Sequence, residues 1–458
     1  LSGQLDELVV TVQEVQERIP AILNMLGDRY PHRYLVLLQN NTESRPTGGF
    51  IGSYLIVDVN DGYIEKAEFH DVYENDGQLH EFIEAPNEIA ALTDNWRMRD
   101  SNYSPHFPLS AAKAAWFLEK EEGPGVDSVI VINQSILADL LTLTGPIEVE
   151  GLPAPLTSEN YHTVLTYIVE AKLDGDQTPK DIIGRIIPQL QTKIYDSASF
   201  KSLFTVVQRG ISQKYIMGWS KDENVQNFFH DIGMSGEVTT VKDDQDYFSL
   251  IAINVGGNKS DLYMNTEILH ETMIEKTGDL SDKVTITRRH TWNPDVVLDW
   301  EKQLKPFGYS DLPDWLQNIL GKGTNKSVIK LYLPAGVELE ETIGIEKDQV
   351  TIGHDEELNK AFMYFTSEVA AQNESVITLR YKLPEPLKLG AADEYRLTVQ
   401  KQPGALKDAK LTKRVIPDPR VSNFRNFPEE VVFVQGDVIE YETTLNTDQH
   451  FASLWGIE

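Results

Sequence analysis

Apolar and polar residues alternate along the chain with several periodicities, and the first of these is typical of a helix. Apolar residues recur at alternating spacings of three and four near the start: Leu5, Leu8, Val12, Val15, Ile19, Ile22 and Leu26. This spacing predicts an amphipathic helix that packs on its own domain or forms a stalk. A self-associating coiled coil is the alternative, although Pro20 interrupts the short seam.

The next segment has the pattern of β-strands. Residues 34–38 form a continuous apolar run with the length of a buried strand. Residues 52–59 form a second strand that reaches the turn sequence Asn60-Asp61-Gly62, a strong hairpin signal, and residues 63–69 return as its partner. A long polar connection follows. The pattern predicts a strand and a hairpin in one sheet.

Helices and strands then alternate, which favours an α/β layer. A helix is predicted from Leu109, a buried strand from Val126 to Ile132, and a second helix from Ile136 that closes at Gly145. Three more helices have start signals, at Thr178-Pro179, at Ser199, and at Ser220 with Glu223 as a capping box.

After about residue 246 the helical pattern gives way to short alternating strands separated by turns, with one short helix predicted near residues 311–320. This pattern is typical of a β-sandwich. The predicted fold class is therefore α/β plus all-β, with an α/β/α domain first and an immunoglobulin-like sandwich last. The predicted segments are an N-terminal helix or stalk (1–29), the α/β domain (30–245), a β-rich connecting region (246–325) and the sandwich (326–458).

Composition excludes several classes of function. The chain has 458 residues, no cysteine and a formal charge of −30. The negative charge would repel a phosphate backbone, so nucleic acid is not an expected partner. Disulfides, thiolate metal sites and cysteine nucleophiles are excluded. No run of 18 apolar residues occurs. The chain opens at Leu1, so we expect that an N-terminal signal or membrane anchor preceded it.

The polar segment 39–53, between the first two strands, is the strongest candidate for chemistry. Gly48 and Gly49 permit positive φ and close approach of the backbone to a ligand. Arg45 can hold a phosphate or carboxylate through two parallel hydrogen bonds. A turn whose amides satisfy local backbone groups explains the same residues equally well. No Gly-Lys-Ser/Thr follows, so this is not a Walker A loop.

Two other polar segments stand out. Asp71 ends the hairpin, and Arg97 and Arg99 precede Tyr103 in a loop before the predicted helix. Paired arginines form a local anion site, although surface ion pairs are the commoner role. The histidines have no metal-ligand spacing, and the acidic residues 243–246 suggest a solvated loop. A glycosidase needs two facing carboxylates, which the sequence alone cannot single out.

The motifs resemble a bacterial envelope family known as domain of unknown function 4012. The resemblance covers roughly residues 30–270 and rests on four runs: Leu35 to Ser53, Asn102 to Ala112, Val126 to Asn133, and Leu143 to Ile147. Members are typically anchored by an N-terminal transmembrane helix, with the rest outside the cell. The resemblance therefore implies an extracytoplasmic protein of the cell envelope.

That family in turn is similar to the LytR-CpsA-Psr enzymes, which transfer glycopolymers from a polyprenyl-pyrophosphate carrier to peptidoglycan around a magnesium ion. Arg45 matches the arginine of the first turn, and Asp71 matches the aspartate after the hairpin. Asn40 and Asn41 stand where a metal-binding aspartate is expected, and His70 replaces an arginine. Glu43 is a speculative substitute ligand. The departures weaken the implied Mg²⁺ site, because neutral amides hold Mg²⁺ less well than carboxylates.

The resulting hypothesis is an extracytoplasmic protein that binds or transfers a phosphorylated glycopolymer or its polyprenyl-phosphate carrier. The predicted catalytic residues are Arg45, Asp71 and Glu43, and the predicted ligand-binding residues are Asn40, Asn41, Thr47, Gly48, Gly49, Arg97, Arg99 and Tyr103. The alternative is a non-catalytic surface scaffold or adhesion protein that displays its β domains. The sequence leaves the substrate, the oligomeric state and the presence of metal open.

Overall fold

The computed structural model describes residues 16–87, 89–172, 180–197, 200–309, 312–390, 392–430, 432–436 and 438–457. It divides into two compact units. Unit 1 takes the described residues of Leu1–Asn40, Thr47–Tyr161 and Asp174–Glu237, and unit 2 takes those of Asn41–Pro46, His162–Leu173 and Val238–Glu458. The chain therefore passes between the units several times.

The helices and strands are as follows in chain order. The helices are α1 (residues 16–25), α2 (Val72–Asp76), α3 (Phe107–Lys120), α4 (Ser135–Thr144), α5 (Tyr161–Ala171), α6 (Asp181–Ser197), α7 (Phe200–Ser212), α8 (Glu223–Asp231), α9 (Pro294–Leu304) and α10 (Asp314–Gln317). The strands are β1 (His32–Arg45), β2 (Gly48–Asn60), β3 (Tyr63–Asp71), β4 (Ser128–Asn133), β5 (Ile216–Ser220), β6 (Asp246–Asn254), β7 (Met264–Ile274), β8 (Leu280–His290), β9 (Asn325–Pro334), β10 (Glu338–Ile343), β11 (Thr351–Asp355), β12 (Lys360–Val369), β13 (Glu374–Lys382), β14 (Asp393–Gln400), β15 (Lys410–Pro417), β16 (Ser422–Phe427), β17 (Val432–Gln435), β18 (Val438–Thr444) and β19 (Gln449–Gly456).

Unit 1 contains a five-stranded sheet in the order β3-β2-β1-β4-β5. β1 and β4 are parallel, whereas the β2–β3 and β4–β5 pairs are antiparallel. The predicted hairpin is confirmed, with Asp61 at φ +49° and Gly62 at φ +79° in its turn. Parallel β1 and β4 end at the same edge of the sheet, where Gln39 pairs with Asn133.

Two clusters of buried apolar residues hold unit 1 together. The larger one joins β1, β2 and β4 to helix α3 through side chains such as Leu35, Ile51 and Phe117. The other includes Ile136 of α4, Ile216 of β5 and Phe229 of α8. The sequence missed β5, because its short run Ile-Met-Gly-Trp-Ser does not alternate. The capping box predicted at Ser220 was wrong, because Asp222 caps α8 by accepting hydrogen bonds from two backbone N–H groups.

Helix α1 includes the second half of the N-terminal apolar seam. Its Ala21 is buried in the second cluster and Met25 packs beside it, whereas Ile19 and Leu26 are each 43% exposed. The helix therefore packs on unit 1 with a face that differs from the predicted seam. The first half of the seam, residues 1–15, lies outside the described residues. None of the described helices combines the length and apolar character needed to cross a membrane.

Unit 2 contains two seven-stranded sheets. Their strand orders are β10-β13-β8-β7-β15-β18-β17 and β11-β12-β9-β6-β14-β19-β16. Residues from both sheets form one apolar core, for example Val284 and Leu379 from the first sheet and Ile329 and Trp455 from the second. The two sheets therefore pack face to face. The coarse prediction of a mixed α/β region followed by a strand-rich region is confirmed.

The two sheets draw on both predicted β segments. β6, β7 and β8 come from 246–325, yet β6 lies between β9 and β14, and β7 and β8 lie between β13 and β15. The pairs β6–β14 and β7–β15 are parallel, so strands far apart in sequence lie side by side. Residues on the two sides of position 326 thus share the same sheets.

Candidate functional site

The predicted site residues fall into two groups, one in each unit. Asn41, Glu43 and Arg45 belong to unit 2. The others belong to unit 1: Asn40, Thr47, Gly48, Gly49, Asp71, Arg97, Arg99 and Tyr103.

In unit 2, Glu43 takes part in an ion triad around a buried lysine. The Lys259 side chain is 5% exposed, and its ammonium pairs with Glu43 and, at 2.9 Å, with Glu170 of α5. Burial acts to lower the pKa of Lys259, but the two carboxylates outweigh it and hold the pKa above its ordinary value. Glu43 thus compensates a buried charge, and its predicted catalytic role remains a prediction.

Arg45 and Asn41 bind backbone carbonyl groups of unit 2. Arg45 is 4% exposed, and its Nη1 donates to the carbonyl of Asn254 at 2.9 Å. Asn41 Nδ2 donates to the carbonyl of Gly404 at 2.9 Å. These contacts fix the segment 41–46 within unit 2, as the structural explanation of the motif requires. Ligand binding by Arg45 and Asn41 remains a prediction.

In unit 1, the turn after β1 is surrounded by side-chain amides. Gln39 donates to Thr47 Oγ1 at 2.9 Å and accepts from the N–H of Gly49 at 3.3 Å. Gly48 has φ +130°, and a Cβ there would lie 2.2 Å from Asn133 Oδ1. The glycine therefore allows the Asn133 side chain to approach the backbone, and approach of a ligand at this point remains a prediction.

Asn102 and Asn133 are buried polar residues close to this turn that are absent from the predicted site. Asn102 Nδ2 donates to the carbonyl of Gly49 at 2.8 Å, and Asn133 ends β4 next to Gln39. The Oδ1 atoms of both asparagines are buried and have no hydrogen-bond partner among the described residues. The sequence does hold a signal for Asn133, because a polar residue directly after the predicted buried strand 126–132 is expected at the end of that strand.

Asp71, Lys180 and Tyr73 form the centre of a second group in unit 1. Asp71 caps α2 by accepting from the N–H of Tyr73 at 3.0 Å, and it pairs with Lys180 Nζ at 2.9 Å. Lys180 also donates to the carbonyl of Gly52 at 2.7 Å and lies 4.4 Å from the centroid of the Tyr73 ring. Lys180 is thereby held against an aromatic ring that is 54% exposed.

Arg99 approaches the same ring. Its Cζ lies 5.6 Å from the Tyr73 centroid, and its Nη1 pairs with Asp76 at 2.7 Å. The ring of Phe50 lies 6.3 Å from that of Tyr73. We call Phe50, Asp71, Tyr73, Arg99 and Lys180 the Tyr73 cluster. It joins two cations, one carboxylate and two aromatic rings.

The other two loop residues, Arg97 and Tyr103, make structural contacts of their own. Arg97 donates to the backbone carbonyls of Asp76 and Leu79 and so fixes the loop after α2. Tyr103 packs edge-on against Trp96, with ring centroids 5.1 Å apart. These contacts are structural, and ligand binding by either residue remains a prediction.

A buried carboxyl group lies behind Asp76. Glu121 accepts from Asn75 Nδ2 at 2.8 Å and from the N–H of Met98 at 3.3 Å. Burial, followed by the charge of Asp76, raises the pKa of Glu121 to about 7. Burial also raises the pKa of Asp76, against the opposing effect of Arg99. Glu121 can therefore change its protonation state near neutral pH.

The first part of the chain matches a known protein family. Residues 30–169 match the model of DUF4012, a protein family of unknown function. The resemblance to this family is thereby confirmed over those residues, a shorter stretch than the 30–270 expected. The DUF4012 match includes Asp71, Tyr73 and Arg99 of the Tyr73 cluster, whereas Lys180 lies beyond its end. No curated protein matches the sequence.

Several solved structures are distantly similar to this chain. Lin1025 from Listeria innocua is 14% identical with a TM-score of 0.27, covering 46% of this chain and 82% of that one. TagV from B. subtilis is 9% identical with a TM-score of 0.28, covering 46% and 83%. Protein gbs0355 from Streptococcus agalactiae is 12% identical with a TM-score of 0.30, covering 62% and 90%. Scores this low do not establish a shared fold.

Proposed function

We propose that the Tyr73 cluster binds the phosphate group of an envelope glycopolymer or of its polyprenyl carrier. The observation that carries this proposal is the placement of two cations around one half-exposed ring: Lys180 at 4.4 Å and Arg99 at 5.6 Å from the centroid of Tyr73. The extracytoplasmic location and N-terminal anchor that the resemblance implies are part of the proposal.

The chemistry of the cluster suits an amphipathic anion. Lysine and arginine bind phosphate through charge-assisted hydrogen bonds, and arginine can do so with two parallel N–H groups. The exposed faces of Tyr73 and Phe50 offer apolar contact to a sugar ring or an isoprenoid chain. A cation held over an aromatic ring keeps its charge while it loses part of its water, which favours exchange of that water for an anion.

The proposed activity is binding of the phosphorylated ligand. Transfer of its phosphoryl-linked group to an acceptor would be an additional activity. Asp71 is paired with Lys180 and Glu43 with Lys259. Because each of these carboxylates already faces an ammonium group, the predicted residues do not fit a Mg²⁺ site well. Any transfer activity would place Asp71 beside the bound phosphate as the predicted base.

Binding of a short-chain polyprenyl phosphate in detergent micelles tests the proposal, measured by titration with and without Mg²⁺. Lys180→Ala and Arg99→Ala should each raise the Kd about tenfold, because each removes a charge-assisted contact. Lys180→Arg should retain most of the affinity, since it keeps both the cation and the ion pair.

Lys66 provides the matched control. It is an exposed lysine of the same unit that pairs with Glu68 at 2.7 Å. Lys66→Ala should leave the Kd unchanged. Equal affinity in the wild type, Lys180→Ala and Arg99→Ala would refute the proposed site.

A surface scaffold is the second candidate function. The contacts of Asn41, Glu43 and Arg45 within unit 2 favour it, since they give a structural reason for three polar residues of the most distinctive motif. In this case the two-sheet unit, whose immunoglobulin-like character remains a prediction, would be displayed for adhesion or assembly. Absence of polyprenyl-phosphate binding in the wild type would favour this function.

A further inference from the structure

A group of polar side chains lies inside the apolar core of unit 2. Asp246, His270, Asp282, Tyr395 and Lys413 are all at most 4% exposed. They come from strands of both sheets: Asp246 and Tyr395 from β6 and β14, and the others from β7, β8 and β15. Buried charged groups are rare unless they are paired or bind metal, so this group requires an explanation.

Strand register brings the side chains together. Thr272 of β7 is directly opposite Asp282 of β8, and His270 of β7 is opposite Lys413 of β15. Asp246 reaches the same point from the other sheet. One ligand atom each from Asp246, His270 and Asp282 lie within 4.8 Å of one another. Among the described residues, no other three histidine, aspartate or glutamate side chains converge in this way.

Outer contacts orient these three side chains. Asp246 accepts from the Tyr395 hydroxyl at 2.5 Å and from the N–H of Tyr247 at 2.7 Å. Thr272 donates to Asp282 Oδ1. The His270 ring packs edge-on against Phe248, with centroids 5.3 Å apart. Hydrogen bonds of this kind hold metal ligands in place in many proteins.

Two atoms at the centre of the group have no hydrogen-bond partner among the described residues. His270 Nε2 and Asp282 Oδ2 are fully buried, lie 3.7 Å apart, and accept or donate no hydrogen bond within the described part of the chain. Neighbouring ligands at about 2.0–2.2 Å from a tetrahedral ion are separated by roughly 3.4 Å. The two unpartnered atoms are therefore spaced almost as an ion between them would require.

We propose that Asp246, His270 and Asp282 bind a divalent first-row transition ion, such as Mn²⁺, Fe²⁺ or Zn²⁺, that links the two sheets of unit 2. One imidazole nitrogen and two carboxylates suit these ions. Ca²⁺ is a poorer fit because it takes six to eight oxygen ligands. The site is independent of the Tyr73 cluster.

Lys413 lies on the other side of the His270 ring. Its Nζ lies 3.0 Å from His270 Nδ1, the ring nitrogen on the far side from the proposed ion. Lys413 also donates to the Tyr395 hydroxyl at 3.0 Å.

Metal-dependent refolding of the full chain tests the proposal. The protein is unfolded in urea with EDTA, refolded with Mn²⁺, Zn²⁺ or no ion, passed through a desalting column and measured for metal content and Tm. We expect one ion per chain and a Tm several degrees higher with Mn²⁺ or Zn²⁺. Because the site is buried, EDTA should remove the ion only when urea is also present.

Variants locate the ion. Asp282→Asn and His270→Gln should lose it, whereas Asp261→Asn, at another buried aspartate of unit 2, should keep it. If the first two variants fail to fold, the wild type alone still tests the proposal, because a buried ion should resist removal by EDTA. Refolded wild type that holds no ion, or an ion that EDTA removes without urea, would overturn the proposal.

Discussion

Glu121 is the residue whose environment most directly links the Tyr73 region to pH. Its carboxyl group is 1% exposed, and burial together with the nearby Asp76 raises its pKa from 4.5 to about 7. Between these two values the folded protein keeps a proton that the unfolded chain releases. The stability that this group contributes is therefore fully present below pH 4.5 and is lost as the pH rises through about 7.

Glu121→Gln should remove this loss, because glutamine is neutral at every pH. Between pH 5 and pH 8, the free energy of unfolding of the variant should rise by about 2–3 kcal/mol relative to that of the wild type, so the variant gains relative stability. Urea unfolding at both pH values measures this difference. Glu119→Gln, at an exposed glutamate two residues earlier in α3, is the control and should give a nearly constant difference.

Single residues also illustrate which parts of the site a sequence can reveal. Asp71 and Arg99 stood out because they belong to short polar segments next to predicted strands and helices. Lys180 did not, since its ion-pair partner Asp71 lies 109 positions earlier in the chain. Asp246 was assigned to a solvated loop but is buried, because Tyr395, 149 positions later, accompanies it in the core.

At the scale of elements, the turn between β1 and β2 depends on Gly48. Its φ of +130° is unfavourable for any side chain, and a Cβ would clash with Asn133 and Gln39. Gly62, in the hairpin turn, differs from Gly48. Its φ is also positive (+79°), but no atom would lie within 4 Å of a Cβ added there. A comparison of substitutions at the two glycines therefore distinguishes the cost of backbone strain from the cost of steric clash.

Gly48→Ala should therefore destabilise the protein more than Gly62→Ala. We expect about 2–4 kcal/mol for Gly48→Ala, from strain plus displacement of the buried amides. Gly62→Ala should cost about 1 kcal/mol, from the left-handed backbone alone. Chemical denaturation of both variants measures these values, and equal losses would contradict the steric role of Asn133 and Gln39.

Local sequence patterns predicted the elements that depend on local interactions. The apolar run of β1, the Asn-Asp-Gly hairpin and the apolar face of α3 were all recognised, because turn chemistry and periodicity lie within a few residues. β5 and the cap of α8 were missed or misplaced, since a strand of five residues has too little periodicity and Asp222 competes with Ser220 as a cap.

At the scale of the whole molecule, the predicted boundary at residue 326 conflicts with strand order. β6, β7 and β8 lie inside the two sheets of unit 2, where they supply core residues such as Phe248 and Val284. Parallel pairing of β6 with β14 joins residues about 150 positions apart, as for Tyr247 and Thr398. Periodicity within a segment carries no information about such pairing.

A fragment of residues 326–458 should therefore not fold by itself, because three interior strands and part of the core are absent. A fragment of residues 238–458 retains every strand of both sheets and should unfold cooperatively. Circular dichroism during thermal unfolding distinguishes the two. A cooperative transition in the shorter fragment would restore the predicted boundary.

The proposed function is tested most directly by asking whether the full chain recognises phosphate on a polyprenyl lipid. Native mass spectrometry compares retention of a polyprenyl phosphate with that of the matching polyprenol, in the wild type and in the double variant Lys180→Ala, Arg99→Ala. We predict that the wild type retains the phosphate and not the alcohol, and that the double variant retains neither. Equal retention of both lipids, or retention of the phosphate by the double variant, would contradict recognition by the Tyr73 cluster.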